Sequence, residues 1–193
     1  MFLRATFVPS VEVGEQLRLV CGQLASVGLR PTLPDDLEIV LARFGNVTND
    51  VAETLRAAVE NGTAELPGCA VALVGPRIDG DLVVADLRGE VDRVAATAAT
   101  VSRIAEARGI YVDRRVFRHG VVLARLDEDH HGTAIEHRLG RLTHWYSSPW
   151  LANEVTLVRT GWRGETPIAE PWCAVPLGGE GQSPRIAATS AEA

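Results

Sequence analysis

The chain has 193 residues, 46% of them hydrophobic and 23% charged, with a formal net charge of −6. These values fit one good-sized domain that buries roughly 70% of its unfolded surface. They exclude a protein that holds nucleic acid mainly by neutralising phosphates along an extended surface.

All 19 basic residues are arginine, a bias of composition that carries no functional weight by itself. Cys21, Cys69 and Cys173 are scattered and contain no Cys-x-x-Cys pair, so neither a disulfide framework nor a zinc ribbon is signalled. No run approaches the ~18 apolar residues of a membrane span, and the start, MFLRATFVPS, lacks the apolar segment of a signal peptide. A cytoplasmic protein without a membrane partner is expected.

In chain order, Leu3 to Pro9 has strand character, and the following segment places Leu17, Val20, Cys21, Leu24 and Val27 at helical spacing before a stop at Gly28. After the turn residues RPTLPDD comes a strand, Leu37 to Phe44. The sequence NVTND then caps a helix carrying Val51, Leu55, Ala58 and Val59, which ENG is expected to end. CAVALVG and DLVVADL read as two short strands joined by a turn over PRIDG. Val91, Val94, Ala98, Val101 and Ala105 mark a helix that stops at Gly109, and a strand spans Phe117 to Leu126. DEDHHG is a polar loop, TAIEHRLGRL a short helix, NEVTLVRTGW a late strand and WCAVPL a final one. From Gly178 the chain loses periodicity, so 178–193 is expected to be a disordered tail.

The tetrad Val-Leu-Ala-Arg occurs at 40–43 and again at 122–125, with every residue 82 positions later. The surrounding elements recur at nearly the same offset, in halves of about 1–65 and 80–145. A duplicated strand-helix-strand-helix unit packed about a pseudo-twofold axis therefore accounts for one bilobal α+β domain over 1–177, with intertwined lobes and antiparallel sheets flanking a central groove.

The repeated strands resemble those of the 2H phosphoesterases, in particular the RNA 2′,3′-cyclic phosphodiesterases also called bacterial 2′-5′ RNA ligases. The family's first landmark, approximately Asn-Leu-His-x-Thr-Leu-x-Phe-Leu-Gly, corresponds to DLEIVLARFG. The second, approximately Phe-Arg-Pro-His-x-Thr-Leu-Ala-Arg, corresponds to FRHGVVLAR, which keeps Phe117, Arg118, Leu123, Ala124 and Arg125. The resemblance implies the family fold and a groove that takes a nucleotide or RNA end. It also implies two His-x-Thr pairs, the histidines acting as general acid and base and the threonine hydroxyls binding phosphate. Those positions hold Glu38 and Val40, then Gly120 and Val122, so both pairs are absent.

Strict alternation points Glu38, Val40, Ala42, Gly120, Val122 and Ala124 into the groove, making it small, apolar and mildly acidic. The first expectation is a non-catalytic nucleotide or small-ligand binder. A second is an active phosphodiesterase in which a bulge at Gly120 turns His119 toward Glu38. A third is a module that accepts a protein partner in an apolar groove. Arg43, Arg118 and Arg125 are candidate anion ligands, although alternation puts Arg43 and Arg125 opposite the Val40 and Val122 face. Trp145 and Tyr146 could stack a base or could cover a sheet edge. Asp127, Glu128, Asp129, His130, His131 and His137 match no zinc spacing and read as a solvated loop; no metal or cofactor is expected.

Overall fold

A computed structural model describes residues 1–26, 28–113, 117–126 and 139–178. The chain forms β1 (Phe2–Phe7), α1 (Val11–Ser26), β2 (Arg30–Pro31), β3 (Ile39–Asn46) and α2 (Asn49–Thr63). It continues through β4 (Cys69–Asp79), β5 (Leu82–Gly89), α3 (Val91–Glu106) and β6 (Gly120–Arg125). β7 (Trp150–Ala152), β8 (Glu154–Arg163) and β9 (Thr166–Pro176) follow among the described residues. The fold is α+β, with two antiparallel sheets in the orders β3-β1-β8-β9 and β2-β6-β5-β4-β7.

The helices cross between the sheets. α1 leaves β1 of the first sheet and packs on β6 of the second, whereas α3 leaves β5 of the second sheet and packs on β3 of the first. Each sheet therefore buries its apolar face under a helix that belongs to the other half of the repeat. Leu17, Leu24, Leu41, Leu55, Leu73 and Leu123 are all fully buried in one continuous core, each worth roughly 1.5–3 kcal/mol of transfer free energy. No helix among the described residues is long and apolar enough to cross a membrane.

Several boundaries differ from the sequence expectation; among them, β6 begins at Gly120 rather than Phe117 and β9 at Thr166 rather than Trp172. α2 runs through Gly62 rather than ending at ENG, because that glycine lets the helix approach α3: a Cβ there would sit 2.4 Å from Ile104 Cδ1. The first strand of the β4–β5 hairpin continues through Pro76. Gly75 is skipped in the pairing, so a bulge accommodates the residue that lacks an N–H. The turn falls instead at Gly80, whose φ of 63° is the left-handed conformation glycine adopts readily. β2 and β7 are two and three residues long, too short to produce a periodic signal. Val27, the acidic and histidine-rich stretch 127–138, which includes most of the expected short helix, and 179–193 of the expected tail lie outside the described residues.

Candidate functional site

The register of the two repeated strands sets the groove. β3 pairs with β1 through Arg4↔Arg43, Ala5↔Ala42 and Thr6↔Val40, leaving Leu41 without a partner. β6 pairs with β5 through Leu82↔Arg125, Val83↔Ala124 and Val84↔Val122, leaving Leu123 without one. Each copy of Val-Leu-Ala-Arg thus carries a β-bulge at its leucine.

Without that extra residue, alternation would put Ala in the groove and Arg in the core, and an unpaired buried guanidinium is very costly. With it, leucine and alanine are both buried and the arginine returns to the face of the preceding valine. Arg43 and Arg125 consequently line the groove, contrary to the strict alternation expected from sequence, while Ala42 and Ala124 are in the core.

The cavity between the sheets has a volume of about 460 Å³. Its wall includes Glu38 and Val40 from one half and Gly120 and Val122 from the other, so all four positions where the resemblance places His and Thr face one space. Among the described residues, Arg4, Arg30, Arg43, Arg118 and Arg125 also line it, with two carboxylates, Asp36 and Glu38. The groove is therefore a guanidinium-lined site, not the apolar and mildly acidic one that alternation implied. Its chemistry is unlike that of a groove built to take an apolar peptide.

The arginines differ in their commitments. Arg4 donates from Nε to Glu38 and from Nη2 to Asp36, the latter at 2.8 Å. Arg118 donates to Asp79. Arg125 reaches Asp81 at 3.4 Å in an exposed pair, the kind that contributes little. For Arg43 no ion pair or hydrogen bond from its side chain occurs among the described residues. Partial desolvation lowers its pKa, and the like charges of Arg4 and Arg125 add to the shift, outweighing the attraction of Glu38 and Asp36. An anion entering the cavity would relieve that repulsion.

Glu38 is 6% exposed and takes a hydrogen bond from Arg4. Burial raises its carboxyl pKa; the Arg4 guanidinium opposes this shift but does not cancel it. His119 is not brought to it. The bulge of β6 lies at Leu123 rather than Gly120, so His119 stays exposed, outside the groove wall, with its ring edge-on to Phe117 at 4.9 Å. Gly120 has a structural reason of its own, since a Cβ there would lie 2.2 Å from the Ala85 carbonyl oxygen.

Trp145 and Tyr146 are also away from the groove. Gly75 N–H donates to the Trp145 carbonyl at 2.8 Å, and Tyr146 bridges to Val74, so this segment covers the outer edge of β4, two strands from β6. Sequence reading had missed Arg4, Arg30 and Asp36. Arg4 was legible in principle, because Phe2, Arg4 and Thr6 alternate with the buried Leu3, Ala5 and Phe7.

No family model matches the chain, and no curated protein does. Solved structures do. The crystal structure of E. coli LigT complexed with ATP superposes with a TM-score of 0.69 at 16% identity, over 91% of this chain and 97% of that one. LigT complexed with 3′-AMP gives 0.69 at 17% identity, over 91% and 96%. The MHV ns2 PDE domain gives 0.54 at 17% identity, over 81% and 97%. The chain has the fold of these proteins.

Proposed function

We propose that this protein is a member of the 2H phosphoesterase superfamily that binds a nucleotide or an RNA end in the groove between its sheets without carrying out the two-histidine reaction. The observation that carries the reading is the convergence of Arg43 and Arg125 on a cavity whose four motif positions hold Glu38, Val40, Gly120 and Val122. Guanidinium groups recognise phosphate through paired, charge-assisted hydrogen bonds, whereas valine and glycine side chains offer neither proton transfer nor donors. Nucleotides in the groove are further supported by the fold shared with LigT, whose structures are described as complexes with ATP and 3′-AMP.

Two measurements test this. Saturable stabilisation of thermal unfolding by 3′-AMP or ATP is expected, since a ligand that binds only the native state raises the melting temperature. No turnover of a 2′,3′-cyclic mononucleotide is expected in the same preparation. Turnover lost on replacing Glu38 and His119 would overturn the non-catalytic reading and make the protein a phosphodiesterase. An outcome with neither binding nor turnover would favour the protein-binding reading.

A further inference from the structure

A separate cavity of about 250 Å³ shares a single wall residue, Glu38, with the arginine-lined groove. Its lining is mainly apolar. The buried Leu37 and Val158 contribute to it, and so do Val8 and Val11, which are 47% and 79% exposed although both are apolar. Apolar side chains left uncovered around a concave site gain by burying a ligand there. Two charged residues complete the character of the wall, Arg18 on α1 and Asp35 in the connection from β2 to β3. Neither makes an ion pair or a hydrogen bond from its side chain among the described residues, so the two charges stand further apart than an ion pair allows. The Arg18 side chain runs back along its helix, with Nη2 4.0 Å from where a Cβ on Gly14, another wall residue, would sit. The carboxylates of the wall, Asp35 and Glu38, both lie on the segment that leads into β3, and Glu38 is already bound to Arg4. The cavity therefore presents one free cation from α1 and one free anion from the connection, with apolar surface around them.

We infer that this cavity binds a small zwitterion, an α-amino acid with a branched apolar side chain, whose carboxylate meets Arg18, whose ammonium meets Asp35 and whose side chain lies against Val8, Val11 and Val158. A guanidinium receives a carboxylate through paired, charge-assisted hydrogen bonds, and the Asp35 carboxylate offers the same kind of bond to an ammonium. A zwitterion uses both free charges and leaves none of its own unpaired in a largely apolar site. A phosphate would instead meet two carboxylates against one guanidinium. The volume agrees with a ligand of this size, since it lies just below the roughly 300–1,000 Å³ of pockets that enclose larger ligands. The site draws nothing from Arg43 or Arg125, so it stands apart from the reading of the groove as a phosphate site.

The test is calorimetric titration of the full chain with L-leucine, and with glycine, N-acetyl-leucine and leucinamide, which lack the apolar side chain, the ammonium and the carboxylate in turn. The wild-type protein should bind leucine saturably within about 10 mM and each of the other three about tenfold more weakly. Arg18→Gln should weaken leucine by about tenfold, and Asp35→Asn should weaken leucine while leaving N-acetyl-leucine unchanged. Both substitutions remove unpartnered charges, so both variants should melt as the wild type does. Inorganic phosphate at constant ionic strength should not displace leucine, and Arg43→Ala should bind it normally. No saturable binding of leucine by the wild type, or binding that Arg18→Gln leaves intact, would overturn the site. N-acetyl-leucine or glycine binding as tightly as leucine would overturn the amino-acid assignment. Displacement by phosphate would put the leucine carboxylate among the groove arginines and remove this cavity from the account, whereas a failure of the groove to bind phosphate would leave it untouched.

Discussion

Leu41 and Leu123 are equivalent residues of the two halves, each the unpaired residue of a bulge and each buried beneath a groove that its neighbouring arginine enters. The bulge lets two consecutive apolar residues reach the core. Leu41→Ala and Leu123→Ala should therefore each cost about 2–5 kcal/mol of stability, as truncations of fully buried leucines do. Urea unfolding measures this, and a loss below about 1 kcal/mol at either position would contradict the packing described.

Arg43 and Arg125 are related by the same repeat but should not contribute equally to binding. Arg125 has Asp81 at 3.4 Å, whereas Arg43 is held close to other positive charges. Arg43→Ala should weaken 3′-AMP by about tenfold or more, on the scale of one lost charge-assisted hydrogen bond of ~1.5–3 kcal/mol. Arg125→Ala should weaken it less. Arg43→Lys should recover only part of the loss, because an ammonium does not reproduce the planar fork. Equal affinity of the wild type and Arg43→Ala in titrations at low salt would remove Arg43 from the site.

The same residues show how far the sequence could be read. The recurrence of Val-Leu-Ala-Arg, the glycine stops at 28 and 109 and the helical spacing of α1 and α3 report local physics, and each was legible in the chain. The side that Arg43 faces is not local, because it depends on whether β1 supplies one partner or none for Leu41. Counting in twos therefore failed at the positions that decide the character of the groove. The cost of burying an arginine is the signal that could have flagged the bulge beforehand. Trp145 and Tyr146 were ambiguous for a similar reason: an aromatic pair reads alike in sequence whether it stacks a ligand or covers an edge. Their place beside β4 predicts that Tyr146→Ala, at a side chain 69% exposed, leaves 3′-AMP affinity unchanged; a several-fold loss would return it to the site.

Gly120 illustrates a motif position that cannot simply be refilled. Its missing Cβ would meet the Ala85 carbonyl oxygen at 2.2 Å and Val84 Cγ1 at 2.8 Å, and backbone cannot swing aside as a side-chain tip can. Gly120→Ala should destabilise the protein by about 1–3 kcal/mol, the range for overpacking, and Gly120→His should do so at least as much. Placing an imidazole there is thus expected to loosen the β5–β6 pairing before it adds chemistry. A Gly120→His variant as stable as the wild type in urea would show that the strands have room the structure does not give them.

Glu38 should leave a pH signature in stability. Its carboxyl is raised above the unfolded value of 4.5, chiefly by burial and only partly opposed by Arg4, so the folded state holds this proton more tightly than the unfolded chain does. The stabilisation from that proton is full below about pH 4.5 and is lost as pH rises through the raised folded-state value. Other carboxylates titrate in the same range, and subtracting the Glu38→Gln variant isolates this one. The unfolding free energy of the wild type minus that of Glu38→Gln should fall as pH rises from about 4.5 toward 7, by no more than about 1.4 kcal/mol per pH unit for a single proton. The amide introduced by Glu38→Gln keeps an acceptor for Arg4, and Asp36 remains at 2.8 Å from that guanidinium, so the variant should fold at every pH compared. A difference that rises with pH would mean that Arg4 outweighs burial and that Glu38 enters the groove as a committed anion, which would disfavour a phosphate beside it.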